Sequence, residues 1–326
     1  MRSRLFLLLI TLYWLLITGI GCAPTYPKEK FKESILRICR NEYKIDVKVE
    51  TIGKTIAIYL PLTDLIDFNF ALTKTAGDKI NDVILSVSRA ALSTDAKFDF
   101  YCVIAHDVRI PEIQIVIIKS VDDVKRFLLN DISRNEYSKR MLIDMRMSPQ
   151  AQKERSIKDI LSKMSVDIKA QDQIMNDFFR AEPAGLGDIG YWNGRFFIKD
   201  VSLSEFLAEE IASRVRMEFK EDKKIAEMFI LKSSKGAYVA RGVKNYFRFE
   251  VLAEQNLVAA TKSAPIADKL IEAVLKVAGH VLHSYRFNDF DYVEVFNQSD
   301  GRTVDVSKER LEEFRKKKIA LEEIVK

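Results

Sequence analysis

A pattern that occurs twice restricts the fold more than any other feature of this sequence. Asp78-Lys-Ile80 is followed by the apolar series Val83, Ile84, Val87, Ala91 and Leu92, and then by Phe98-Asp-Phe100. Asp268-Lys-Leu270 is followed by Ala273, Val274, Val277, Val281 and Leu282, and then by Phe290-Asp-Tyr292. The second copy begins 190 residues after the first. Apolar residues at steps of three and four predict an amphipathic helix in each copy. Each copy then closes with a further helix, in which Val124 and Phe127 correspond to Leu311 and Phe314.

The segments upstream agree in type. Phe31–Tyr43 has helical spacing of Phe31, Ile35, Ile38 and Cys39, and Ile45–Val49 alternates as a strand. A turn at Gly53-Lys54 then leads to a return strand, Thr55–Leu60. In the second copy Ser202-Leu-Ser-Glu205 is a capping-box pattern that opens a helix over Phe206–Phe219. A strand over Ile225–Lys232, a turn at Ser233–Gly236 and a strand over Tyr246–Ala253 are expected next. The expected fold class is therefore α+β: two related helix-hairpin-helix-hairpin-helix halves with antiparallel sheets, covering residues 22–130 and 202–326. Asp46 and Lys48, and Arg248 and Glu250, alternate with the apolar positions. They leave the second face of each sheet either in water or shared between the halves.

Residues 131–201 have no counterpart in the repeat and are expected to be a helical connector, with helices over Asn135–Met145, Ser156–Met164 and Lys169–Arg180. The connector ends in a Gly/aromatic loop and hairpin. Four of the chain's 12 glycines fall between Gly185 and Gly194, and Asn193-Gly194 between aromatic flanks is a two-residue hairpin signal. Gly185-Leu-Gly187-Asp-Ile-Gly190 matches a dinucleotide fingerprint in form only. It follows Pro183 instead of a strand and opens no helix, so nucleotide binding is not expected. Tyr191, Trp192, Arg195 and Phe196 are the residues expected to meet a partner, because large aromatics in adaptable loops anchor interfaces. The same aromatics serve equally well as a plug between two domains.

The N-terminus carries a different kind of information. Met1–Arg4 is basic, and Leu5–Ile20 is apolar apart from Thr11, Thr18 and Gly19. Its sixteen residues span about 24 Å as a helix, short for a permanent membrane span and suited to a secretory leader over residues 1–21. The run ends in Gly19-Ile-Gly-Cys22-Ala-Pro24, which resembles the lipobox of bacterial lipoproteins; Gly19 stands where that family usually has Leu. The resemblance covers the first 24 residues and implies acylation of Cys22 and a membrane-anchored protein on the periplasmic side of the cell envelope. Ala23, where inner-membrane retention uses Asp, favours the outer membrane. An uncleaved anchor, with Tyr13 and Trp14 at the membrane, is the other reading of the leader.

Little in the chain points to catalysis. The formal charge is +5; Arg2 and Arg4 belong to the leader, so the remainder carries +3, which makes no case for nucleic acid. His280 and His283 share a helix face, but a metal needs further ligands, so neither metal nor cofactor is expected. With Cys22 acylated, Cys39 and Cys102 remain, either as a disulfide or as free buried thiols. Asp122-Asp123 reads as the first turn of a helix after Ser120. The expected function is non-enzymatic: a lipid-anchored binding or scaffolding module whose partner is another envelope protein. A periplasmic hydrolase without a recognisable motif and a structural envelope protein are the alternatives.

Overall fold

The computed structural model describes residues 25–67, 71–147, 186, 189–256 and 266–324. The leader and Cys22, the expected helices Ser156–Met164 and Lys169–Arg180, and Gly185 and Gly187 lie outside the described residues. Among the described residues the chain is α+β.

The first part runs α1 (Phe31–Tyr43), β1 (Lys48–Ile52), β2 (Thr55–Leu62), α2 (Lys74–Leu92), β3 (Phe100–Asp107), β4 (Ile113–Ser120) and α3 (Val121–Leu128). Then come α4 (Arg134–Lys139) and β5 (Leu142–Met147). The strands form one sheet in the order β1-β2-β3-β4-β5, with β2 and β3 parallel and the other pairs antiparallel. A small hairpin, β6 (Gly190–Trp192) with β7 (Arg195–Phe197), follows.

The last part runs α5 (Leu203–Glu221), α6 (Lys223–Met228), β8 (Phe229–Arg241), β9 (Lys244–Gln255), α7 (Ile266–Ser284), β10 (Tyr292–Asn297), β11 (Arg302–Ser307), α8 (Lys308–Arg315) and α9 (Leu321–Ile324). Its sheet has the order β11-β10-β9-β8, again with the central pair, β9 and β10, parallel.

The first sheet is buried on both faces, which accounts for its nearly continuous apolar strands. One face packs Ile56, Ile58, Val103 and Ile117 beneath Ile35 of α1 and Val83 and Val87 of α2. The other face presents Tyr59, Phe100, Cys102, Ile104, Val116 and Ile118 to α5. Phe206, Leu207, Ile211 and Val215 of α5 belong to the same core as Phe247, Phe249 and Val251 of the second sheet. Helix α5 is thus sandwiched between the two sheets, and burying a side chain such as Phe206 there contributes about 2–3 kcal/mol. The second face of the first sheet is thus covered by α5 and closed to water. The second sheet keeps its outer face open: Tyr246, Arg248 and Glu250 are half-buried there, and Arg248 pairs with Glu250 at 3.0 Å.

Three sequence expectations need correction. The helix expected over Asn135–Met145 stops at Lys139, and Leu142–Met147 becomes a strand paired with β4. The run Leu-Ile-Asp-Met-Arg-Met alternates with period two, and the open edge of β4 fixes that choice. Strand Ile225–Lys232 begins instead as helix α6, because the Asp222 carboxylate accepts from the Lys224 and Ile225 amides. The turn expected at Ser233–Gly236 is strand: β8 runs through it with a bulge between Leu231 and Ser233, and the chain reverses at Gly242-Val243. Gly242 has φ +64, and its φ suits the turn. Gly236 serves packing instead, since a Cβ there would lie 2.1 Å from the Ala208 carbonyl oxygen of α5.

Candidate functional site

A groove of about 700 Å³ opens between the two sheets, and α5 forms its floor through Ser213, Arg216, Phe219 and Lys220. Among the described residues, one wall is β5, the last strand of the first sheet, and the other is the start of β8, the last strand of the second. The lining includes every residue from Leu142 to Arg146 and every residue from Phe229 to Ser234. A strand seen from its face shows alternate residues, whereas one seen from its edge shows them all. Both strands therefore turn an edge, with its backbone N–H and C=O groups, toward the groove. Ile143 and Ile230 are exposed at its two rims.

Charge in the groove is mostly positive. Among the described residues, Arg146, Arg216, Lys220 and Lys232 line it against one carboxylate, Asp144. Arg146 is buried; its Nε donates to Asp144 at 2.9 Å and its Nη1 to the Ile189 carbonyl. Arg216 donates through Nη1 to the Ser234 carbonyl at 2.7 Å. Burial lowers the Arg216 pKa despite the opposing pull of Glu209 and Asp144. Lys232 reaches Glu254 at 2.8 Å, and Lys220 is exposed.

The hairpin singled out by sequence sits beside this groove, against the first sheet. Its turn has positive φ at Asn193 and Gly194, as a two-residue hairpin loop requires. Tyr191 is buried and stacks on Tyr59 with centroids 3.8 Å apart. Its amide donates to Gln114 Oε1 at 2.9 Å, Gln114 Nε2 donates back to its carbonyl, and Lys48 donates to its hydroxyl. Tyr59 in turn bonds His106 Nδ1 at 2.8 Å. Tyr191 is therefore a plug that fastens the hairpin and is closed to a partner. Trp192 and Phe196 are half-buried, and Arg195 is exposed.

Sequence reasoning missed a buried charge cluster where α3, α4, α5 and α7 meet. Arg140, 1% exposed, donates to Asp123 at 2.7 Å, to Glu136 at 2.8 Å and to the Ser284 hydroxyl at 3.0 Å. Tyr285 donates to Asp123 at 2.5 Å. Arg214 contacts both Glu136 and Glu210 at 2.7 Å. Burial raises the Asp123 pKa although Tyr285 and Arg140 hydrogen-bond to it. Glu136, against the pull of burial, is held down to about 2 by Arg214 and Arg140. Glu210 is fully buried, and burial pushes its pKa up to about 7. Asp123 does stand in the first turn of α3, where Ser120 caps the helix, but its side chain is committed to the salt bridge with Arg140 and the hydrogen bond from Tyr285. The available signal was the spacing: Glu136 to Arg140 and Glu210 to Arg214 are both i,i+4 pairs.

Cys39 and Cys102 are free buried thiols in different cores, on opposite sides of the first sheet. No disulfide can bridge the sheet between them, which corrects that expectation. His280 and His283 are both exposed. Among the described residues no group of three or more His, Cys, Asp or Glu could hold a metal ion, and no helix is long and apolar enough to cross a membrane. Comparison with protein-family models, curated proteins and solved structures gives no match.

Proposed function

We propose that the protein is an envelope lipoprotein tethered through Cys22, with two related α+β halves and a groove, walled by β5 of the connector and β8 of the second half, that binds a partner. The groove between the edges of β5 and β8 carries this reading. It is large enough for a ligand, rimmed by exposed Ile143 and Ile230, and charged with one dominant sign. The leader and Gly21-Cys22 support the anchor. The kinship of the halves rests on a similar element order, helix-hairpin-helix-hairpin-helix with α6 added in the second, on one parallel pair in each sheet, and on the duplicated sequence pattern. Binding is favoured over hydrolysis because the lining brings together cations and apolar groups, while the one carboxylate among its described residues, Asp144, is held by Arg146.

Two measurements test the reading. Labelling cells with a palmitate analogue gives an acylated band that Cys22→Ala abolishes; labelling that persists in the variant removes the anchor. A photo-crosslinking residue placed at Ile143 or Ile230 captures a partner in intact cells, whereas one at Val243, 98% exposed on the far hairpin turn, does not. Equal capture at all three positions removes the groove.

A further inference from the structure

We infer that the groove recognises an extended acidic peptide, which adds as a strand to the outer edge of β5; this inference rests on the binding function proposed above. Backbone geometry is the first reason. Leu142–Arg146 line the groove without a gap, so the edge of β5 and its peptide groups face the cavity. Edge peptide groups are a ready template for a further strand, with main-chain hydrogen bonds supplying affinity. The edge of β8 is less suited, because the bulge between Leu231 and Ser233 interrupts its register and Lys232 stands at that point. The six residues of β5 offer about 20 Å of edge, the length of an ordinary strand.

Charge supplies the second reason. Leu142, Asp144 and Arg146 pair with Ile118, Val116 and Gln114, which places them on the α5 side of the sheet, and Ile143 on the other. An added strand would alternate in the same way. Its residues on the α5 side would approach Arg216 and Lys220, and carboxylates there would meet cations whose one opposing carboxylate among the described lining residues is paired. Its residues on the opposite side would lie beside exposed Ile143, where apolar side chains are favoured.

The test is fluorescence anisotropy on the full-length protein in nanodiscs, with a labelled octapeptide that alternates glutamate and valine. The peptide is expected to bind. N-methylation of alternate amides, which leaves every side chain in place, should weaken binding at least tenfold, and lysine in place of glutamate should abolish it. Arg216→Gln and Ile143→Glu should each weaken binding several-fold; Ile143 is exposed, so its variant should keep the wild-type melting temperature. Unchanged affinity after N-methylation overturns strand addition. If oleate binds and the peptide does not, the groove is a site for an amphipathic anion, and the binding function stands while the peptide falls. If neither probe binds, both are overturned.

Discussion

Glu210 allows a quantitative test of how α5 is held between the two sheets. It sits on the buried side of α5, with Arg214 on its own helix, Asp123 on α3, Glu136 on α4, Arg140 at the C-terminal cap of α4, and Tyr285 just past the end of α7. Burial raises its pKa from 4.5 to about 7, while in the unfolded chain it titrates normally. Between those values the folded protein holds a proton that the unfolded chain has released. Stability therefore falls as pH rises through this window, and the loss is complete above neutrality. The shift corresponds to a ceiling of about 3 kcal/mol, since one pKa unit is about 1.4 kcal/mol. Glu210→Gln keeps the shape and stays neutral, so it escapes the loss. The variant should match the wild type at pH 5 and exceed it by about 1–3 kcal/mol at pH 8.5. Urea denaturation at the two pH values measures this directly, because neighbours such as Asp123 titrate in both proteins and cancel in the difference. A variant less stable than wild type at pH 8.5 would refute the reasoning: the attraction between an ionised Glu210 and Arg214 would then outweigh the cost of burying the charge.

Other positions give sharper yes-or-no outcomes. Arg140→Met should cost about 3–5 kcal/mol by leaving Asp123 without its ion-pair partner; chemical denaturation that finds less than 1 kcal/mol removes the cluster as a clamp. Gly236→Ala should destabilise by about 1–3 kcal/mol through the clash with the Ala208 carbonyl, whereas Gly242→Asn, at a turn with open space, should change the melting temperature little. Cys39 and Cys102 should react with a thiol reagent only as the protein unfolds, since burial raises both thiol pKa values, and oxidant should produce no intramolecular crosslink.

The long helices α2, α5 and α7 were readable in sequence because their signal is carried by buried periodic positions. Val83 and Val87, and Val274 and Val281, face cores, and the capping box at Ser202 and Glu205 forms as its residues require. The misread segments share one physical feature: long-range contacts decide them. Leu142–Met147 is a strand because β4 has an edge to fill, and Gly236 sits mid-strand because α5 comes within van der Waals distance of it. Tyr191 was legible as an aromatic of importance, but its partners, Tyr59, Gln114 and Lys48, lie in distant parts of the sequence, so its role as a plug was not. The groove was invisible for the same reason. Its walls come from two sheets, and none of its residues is unusual where it stands in the chain.

These misreadings converge on α5. A helix with one apolar stripe covers one sheet; α5 buries Phe206, Leu207, Ala208, Ile211, Ala212, Val215 and Phe219, together with Glu209 and Glu210, because it has a sheet on each side. That position has two consequences. The sheets can sit no closer than the thickness of the helix, which leaves the gap between β5 and β8 open where α5 turns Arg216, Phe219 and Lys220 toward it. On the same helix the Glu210 carboxylate meets Arg214, which also reaches Glu136; beyond the helix Arg140 links Glu136 to Asp123, and Asp123 accepts from Tyr285. Groove and clamp are thus two faces of one helix. A substitution that loosens the clamp should also change the width of the groove, so Arg140→Met should weaken octapeptide binding even though Arg140 lines no part of the groove. Unchanged peptide affinity in a folded Arg140→Met protein would separate the two and leave α5 as a spacer alone.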